Sequence, residues 1–230
     1  MIEILGGGPA GATASLLLAR WGHDVRLMTR STGHRSLAVS VPPSCAKLFD
    51  VIGVGAAIER AGFLRSRGNT VWWGGADARV EPFADGALGW QLDVGALAEV
   101  LLAEAIDAGA RVERTLTSRP AMRLDVEGMV TLDCTGRAGV IARALGLRQL
   151  DEGLRTIALV GEWRREHGWP VPDDTHTLIE SYEDGWMWSV PIGEGVRHIA
   201  AMVDPRHSDL ARGEAPVSYT HLTLPTILRV

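Results

Sequence analysis

Three groups of residues in this 230-residue chain have the types and spacing to do chemistry. The first is Gly6, Gly8 and Gly11, with Pro9 and Ala10 between them, in GGGPAG at positions 6–11. Glycines at this GxGxxG spacing handle phosphate. The first permits a tight turn, the second lets the backbone approach a pyrophosphate, and the third lets a helix lie close to a sheet. A helix starting there aims free N–H groups and a positive dipole end at the phosphates. The second group is DCTGR, Asp133 to Arg137, with Gly136 in the turn. The third is Trp186, Trp188 and Pro191 in GWMWSVP. Residues two apart on a strand face one side, so the tryptophans would form one aromatic wall, and Pro191 would end the strand or mark an edge. The plainer alternatives are a structural glycine turn in an unrelated α/β protein and two core tryptophans packing a sheet.

The other reactive side chains say less. Cys45 and Cys134 read as reduced, partly buried thiols, and no metal-ligand spacing surrounds them. Lys47 is the one lysine, in a helix where its charge is most simply solvated. His34, His176 and His198 read as surface or strand residues, so no catalytic residue is assigned. Trp72 and Trp73 alternate faces; core packing is expected of either.

These groups need elements to hold them. Met1–Leu5 reads as an apolar strand, ATASLLLARWG as an apolar helix ending near Gly22, and Asp24–Arg30 as a second strand. With both flanks correct, the glycine cluster reads as a dinucleotide-binding turn. Pro42-Pro43 breaks regular structure, and Ser44 is positioned to cap the helix CAKLFDVIGV. NTVWWG reads as a strand. Leu97, Val100, Leu101, Glu104 and Ala105 follow helical spacing up to Gly109, and a strand begins at Arg111. VTLDCTGR reads as a buried strand meeting a turn. From Thr156 on, TIALVGEWR, THTLIESYE, GWMWSVPI and VRHIAAMVD are strands in direct succession, which argues for an antiparallel sheet.

Composition sets outer bounds. A content of 46% hydrophobic and 22% charged residues fits an ordinary globular protein. A net charge of −5 gives no basic footprint for nucleic acid. No apolar run approaches the roughly 20 residues that cross a bilayer, and a first strand at residue 2 leaves no room for a signal peptide, so a cytoplasmic location without membrane contact is expected.

Residues 1–214 resemble the flavin-dependent monooxygenase and halogenase superfamily, especially its tryptophan-halogenase-like branch. GGGPAG, PPS at 42–44, GWQLD at 89–93, DCTGR and GWMWSVP carry the resemblance. DCTGR is similar to the family's D-A-T-G-R turn, and Trp186, Trp188 and Pro191 match its W-x-W-x-x-P motif. The resemblance implies an α/β fold: a Rossmann-type FAD-binding domain over 1–150 and an antiparallel β-sheet substrate domain over 151–214, both incomplete at the C-terminus. Residues 215–230 resemble translated sequencing adapter, a non-native tail on a truncated fragment.

The implied cofactor is FAD. Gly6, Gly8, Pro9, Ala10 and Gly11 would hold its pyrophosphate, Thr29 and Arg30 would face its adenosine end, and Gln91, Asp133 and Gly136 would lie near its ribityl chain or flavin. Trp186, Trp188 and Pro191 would wall the substrate pocket. The implied reaction is hydroxylation or halogenation of an aromatic substrate through a C4a-hydroperoxyflavin. That substrate would be a small molecule or a group on a carrier or protein. Reduced flavin would come from NAD(P)H or a partner flavin reductase. The alternatives are a truncated, inactive nucleotide-binding fragment and a flavin-dependent reductase of the geranylgeranyl-reductase-like type; an NAD-dependent dehydrogenase fits less well.

Four departures from the family bear on this. Thr29 stands where a glutamate usually holds the adenosine ribose. A neutral hydrogen bond contributes about 1 kcal/mol against roughly 1.5–3 for a charged one, which predicts about tenfold weaker FAD binding. Ser66, between Arg65 and Arg67, stands where halogenases carry a lysine, which places hydroxylation ahead of halogenation. Val94 replaces an arginine after the Gln-Leu-Asp passage. The dipeptide Gly-Asp, whose family motif binds the ribityl chain, occurs nowhere in the chain, in keeping with truncation.

Overall fold

The structure, a computed structural model, describes residues 1–30, 37–75, 77–115, 130–151, 153, 156–182 and 185–204. His34 and the tail at 215–230 lie outside the described residues. In chain order the elements are β1 (Ile2–Leu5), α1 (Pro9–Arg20), β2 (Val25–Arg30), β3 (Ala38–Val41), α2 (Ala46–Val51), α3 (Gly55–Arg60), β4 (Leu64–Ser66), β5 (Gly68–Trp72), β6 (Arg79–Pro82) and β7 (Gly89–Asp93). They continue with α4 (Val94–Asp107), β8 (Arg111–Thr115), β9 (Val130–Asp133), α5 (Val140–Ala144), β10 (Ile157–Arg164), β11 (Thr177–Tyr182), β12 (Gly185–Gly193) and β13 (Val196–Val203).

The contacts divide this chain into two units. One holds 1–37, 45–63 and 93–150; the other holds 38–44, 64–92 and the described residues from Asp151 on. Two stretches of the first 150 residues thus group with the second unit.

The first unit is built on a parallel sheet in the order β8-β2-β1-β9. This is the arrangement of a Rossmann-type domain. Ile4, Leu5, Val25 and Leu27 are buried in it. Pro9 opens α1, where a missing N–H leaves no bond unmade. The helix buries Gly11, Ala12, Ser15 and Leu16, and Gly22 (φ +83°) lets the chain turn back into β2. In α4 the buried stripe is Leu97, Ala98, Leu101, Leu102 and Ala105. Asp93 caps this helix by accepting from the Ala96 N–H at 2.7 Å. Ser44 does not cap α2: Pro43–Cys45 forms a 3-10 turn, and the N-cap position falls to Cys45, whose side chain makes no capping bond.

The second unit contains a six-stranded sheet, β10-β13-β12-β11-β5-β6, and a three-stranded one, β3-β7-β4. The larger sheet is antiparallel except where β5 runs parallel to β11. One of its faces carries the apolar groups Trp72 with Leu178 and Met187 with Ile199 and Ala201, and Trp169 packs on both. Trp72 is thus a core residue, whereas Trp73 is 61% exposed. Core packing for both was expected. Alternation along the strand puts them on opposite sides, and β5 ends between them.

Candidate functional site

The glycine turn connects β1 to α1, and close backbone approach dictates its composition. Gly6 has φ +105°, and a Cβ there would sit 2.3 Å from the Cys134 carbonyl oxygen. A Cβ on Gly11 would sit 1.9 Å from the Gly6 carbonyl oxygen. No larger residue fits either place without moving backbone. Gly8 differs. Its φ is an ordinary −71°, and a Cβ there would meet nothing within 4 Å among the described residues. The chain itself does not demand glycine at this position; an approaching ligand would.

The first backbone bond into α1 runs from the Ala12 N–H to the Gly8 carbonyl at 2.9 Å. The N–H groups of Ala10 and Gly11 therefore lie ahead of the helical ladder. No acidic residue stands in this first turn to compete for the dipole. The donor set and the open face over Gly8 fit a pyrophosphate.

Thr29, the last residue but one of β2, stands beside this turn and is 8% exposed. A Cβ on Gly7 would lie 2.4 Å from its hydroxyl oxygen, so the hydroxyl faces the glycine turn. Its recorded bond is a long one of 3.4 Å to the Arg30 carbonyl. Arg30 is exposed at the strand end.

Asp133 holds the DCTGR turn. Its Oδ1 accepts from the Thr135 N–H at 3.1 Å and hydroxyl at 2.5 Å, and its Oδ2 accepts from Ile141 N–H at 2.9 Å and Ala142 N–H at 3.3 Å. Burial pushes this carboxyl upward, but the bonds from Thr135, Ala142 and Ile141 outweigh it and hold the group below its ordinary value. The side chain thus anchors the start of α5, while Gly136 (φ +60°) leaves open space beside the turn. Cys134 is pushed up by burial and by the Asp133 charge, which keeps it a thiol.

In the second unit, Trp186 and Trp188 are half-buried and share one face of β12, with the fully buried Met187 between them on the other. The Trp188 Nε1–H is buried with no hydrogen-bond partner among the described residues. Pro191 does not end its strand, which continues to Gly193 with a bulge after the proline; it lies on the part of β12 paired with β13 alone among the described residues. Pairing with β11 stops at Ser189, so the missing N–H of Pro191 interrupts no bond on that side.

Gln91 is 3% exposed. Its Nε2 donates to the Thr175 carbonyl at 3.1 Å and the Thr177 hydroxyl at 3.2 Å, and its Oε1 is buried without a partner among the described residues. Ser66 is fully buried, and its hydroxyl donates to the Gly68 carbonyl at 3.2 Å. Arg65 lies 4.4 Å over the Trp90 ring and donates to the Leu88 and Gly89 carbonyls, both at 3.1 Å. Arg67 lies 3.9 Å from Asp173.

Sequence reasoning missed the polar cluster around Arg197, which is 1% exposed. Its Nε donates to the Ser189 hydroxyl at 2.8 Å, and its terminal nitrogens donate to the carbonyls of Asp174 (2.8 Å), His176 (2.6 Å) and Ser189 (3.0 Å). Burial lowers this guanidinium to about 10, against an opposing pull from Asp174, and it stays charged at neutral pH. His176 is buried rather than on the surface. Its Nδ1 lies 2.9 Å from the Thr70 hydroxyl, and its Nε2 is 3.6 Å from Asp173. His198 is a buried strand residue. Among the described residues no group of His, Cys, Asp and Glu is placed to hold a metal ion, and no helix is long and apolar enough to cross a membrane.

Comparison with known proteins adds a frame. The FAD binding domain family matches residues 1–128. The tryptophan 2-halogenase of Chondromyces crocatus is 27% identical over 242 aligned positions, covering 88% of this chain and 43% of that protein. The flavin-dependent halogenase rdc2 of Metacordyceps chlamydosporia is 23% identical, covering 88% of this chain and 46% of that one. The crystal structure of CmlS, a flavin-dependent halogenase, superposes with a TM-score of 0.78 at 26% identity, over 96% of this chain and 44% of that chain. The chain therefore spans less than half the length of these relatives.

Proposed function

The chain belongs to the FAD binding domain family, and from that premise we propose that it is an FAD-dependent oxidoreductase acting on an aromatic substrate. The observation that carries the reading is Gly8, a glycine no protein neighbour requires, at the mouth of a helix with free N–H groups. Gly6 and Gly11 set the turn, Pro9 starts the helix, and Ala10 and Gly11 offer donors to the pyrophosphate. When bound and reduced, FAD supplies oxygen activation. On the substrate side, Trp186 and Trp188 give a flat apolar face. The Gln91 Oε1 acceptor and the Trp188 Nε1 donor are buried polar atoms without a partner among the described residues. The names of the relatives, a tryptophan halogenase among them, support an aromatic substrate.

We place hydroxylation ahead of halogenation. Where a halogenase lysine is expected, Ser66 is buried with its hydroxyl engaged. The adjacent arginines are held by carbonyls, a ring and a carboxylate. The reductant is NAD(P)H or a partner reductase, the substrate is free or carrier-bound, and the protein works in the cytoplasm. A second reading, nucleotide binding without turnover, is favoured by the absence of any Gly-Asp dipeptide.

The test is to purify the protein with added FAD and record its visible spectrum. It is then supplied with reduced flavin, oxygen, bromide and a panel of aromatic compounds, and the products are read by mass spectrometry. Flavin retention with hydroxylated product supports the proposal. Brominated product alone reverses the order of the two chemistries, retained flavin without product supports the second reading, and a colourless protein that takes up no FAD rejects the site.

A further inference from the structure

We infer that the nucleotide site takes a 2′-phosphorylated adenine nucleotide at least as readily as one with a free ribose diol. This rests on the reading that the glycine turn binds the adenosine diphosphate half of a dinucleotide. In Rossmann sites, an acidic side chain at the end of the second strand bonds the ribose 2′-hydroxyl, and a nearby arginine is what accommodates a 2′-phosphate in its stead. A carboxylate there both fills the space and repels the phosphate charge.

This chain has neither obstacle. Thr29 occupies the position, more than nine-tenths buried, with its hydroxyl directed at Gly7. The side chain ends at its γ atoms and brings no charge to the strand end. Its one recorded bond, 3.4 Å to the Arg30 carbonyl, is too long to hold the O–H against a charged acceptor. Arg30 follows directly and is exposed, which places a permanent cation at the same strand end.

The neighbouring carboxylates do not cancel that charge. Glu113, on the adjacent strand, is bonded twice by Arg26, at 2.8 and 2.7 Å. Glu99 is bonded by Arg114, the register partner of Thr29, at 3.0 and 2.5 Å. Asp133 is taken up by the donors of its own turn. The local balance therefore favours an additional phosphate over a bare diol.

The experiment is calorimetric titration of the whole chain, free of flavin, with adenosine 5′-monophosphate and with adenosine 2′,5′-bisphosphate at low and moderate salt. The bisphosphate should bind no more weakly than the monophosphate, and its affinity should fall more steeply with salt. Thr29→Glu should shift the ratio at least tenfold toward the monophosphate. Should that variant fail to fold against Gly7, Arg30→Ala, a change at an exposed side chain, carries the test. It should weaken the bisphosphate at least threefold more than the monophosphate. A chain that binds FAD and the monophosphate but rejects the bisphosphate by threefold or more overturns this inference alone, as does an Arg30→Ala variant with an unchanged ratio. A chain that binds none of the three overturns the nucleotide site and this inference together.

Discussion

The glycine turn of the first unit and the arginine cluster of the second are both places where backbone crowds together, and they are held in opposite ways. In the turn, Gly6, Gly11 and Cys134 approach so closely that any side chain would collide with a carbonyl oxygen. The fit there depends on atoms that are missing. Around Arg197, three carbonyls converge on a single buried cation, and the fit depends on one side chain donating to all of them. The turn is therefore sensitive to added volume and the cluster to lost donors. Only the turn presents unfilled capacity outward, at Gly8.

The largest effect should come from breaking the cluster. Arg197→Met keeps most of the volume but leaves the carbonyls of Asp174, His176 and Ser189 without this donor. At about 1–3 kcal/mol for each buried group left unsatisfied, partly relieved by relaxation, urea unfolding should show a loss of about 3–5 kcal/mol. A loss under 1 kcal/mol would mean that water replaces the guanidinium easily and that the contrast with the turn is false.

Next in size is Gly11→Ala, whose new methyl group meets the Gly6 carbonyl. Overpacking against backbone should cost about 2–3 kcal/mol in the same assay. Gly8→Ala sharpens the comparison, because its methyl group meets no protein atom. Stability should change by about 1 kcal/mol or less, while FAD affinity, read by fluorescence quenching, should fall about tenfold or more, equivalent to about 1.4 kcal/mol. Equal effects of the two substitutions on stability would erase the distinction between a packing glycine and a ligand glycine.

The smallest effect concerns pH. Asp133 has its folded-state pKa below the ordinary 3.8, so its contribution is present above that value and is lost as pH falls through the folded pKa. Asp133→Asn should cost about 1 kcal/mol at pH 7, the worth of a capping side chain. The gap between variant and parent should close as pH falls through the folded-state pKa, which lies below the ordinary 3.8. A gap that stays constant down to pH 2 would show that the carboxylate charge contributes nothing to the turn.

The same contrast explains what the sequence disclosed. β1, the glycine turn, α1 and β2 are contiguous, so spacing alone identified them, and the alternation in β10 to β13 marked those strands. The short strands β3, β4, β6 and β7 escaped because three to five residues without a marking motif carry too little periodicity to register. Asp93 is an exception that could have been found: an aspartate immediately before an apolar helical run is a start signal. The Arg197 cluster could not. Ser189 and Arg197 meet carbonyls near 174 and 176 only after the strands pair, and no local pattern announces that a guanidinium will be buried. His176 misled for the same reason, since its partner Thr70 is 106 residues away.

That parallel junction of β5 with β11 also has a bearing on how the chain is made. During synthesis, β5 and β6 emerge early and pair with each other, but β5 leaves its other edge open until β11 is translated more than 100 residues later. At about 5–20 residues per second, that interval lasts roughly 5–20 seconds. An apolar strand containing Val71 and Trp72 is then a template for wrong pairing. Slow elongation between residues 72 and 177 should therefore lower the yield of folded protein, and a chaperone that shields this strand should raise it.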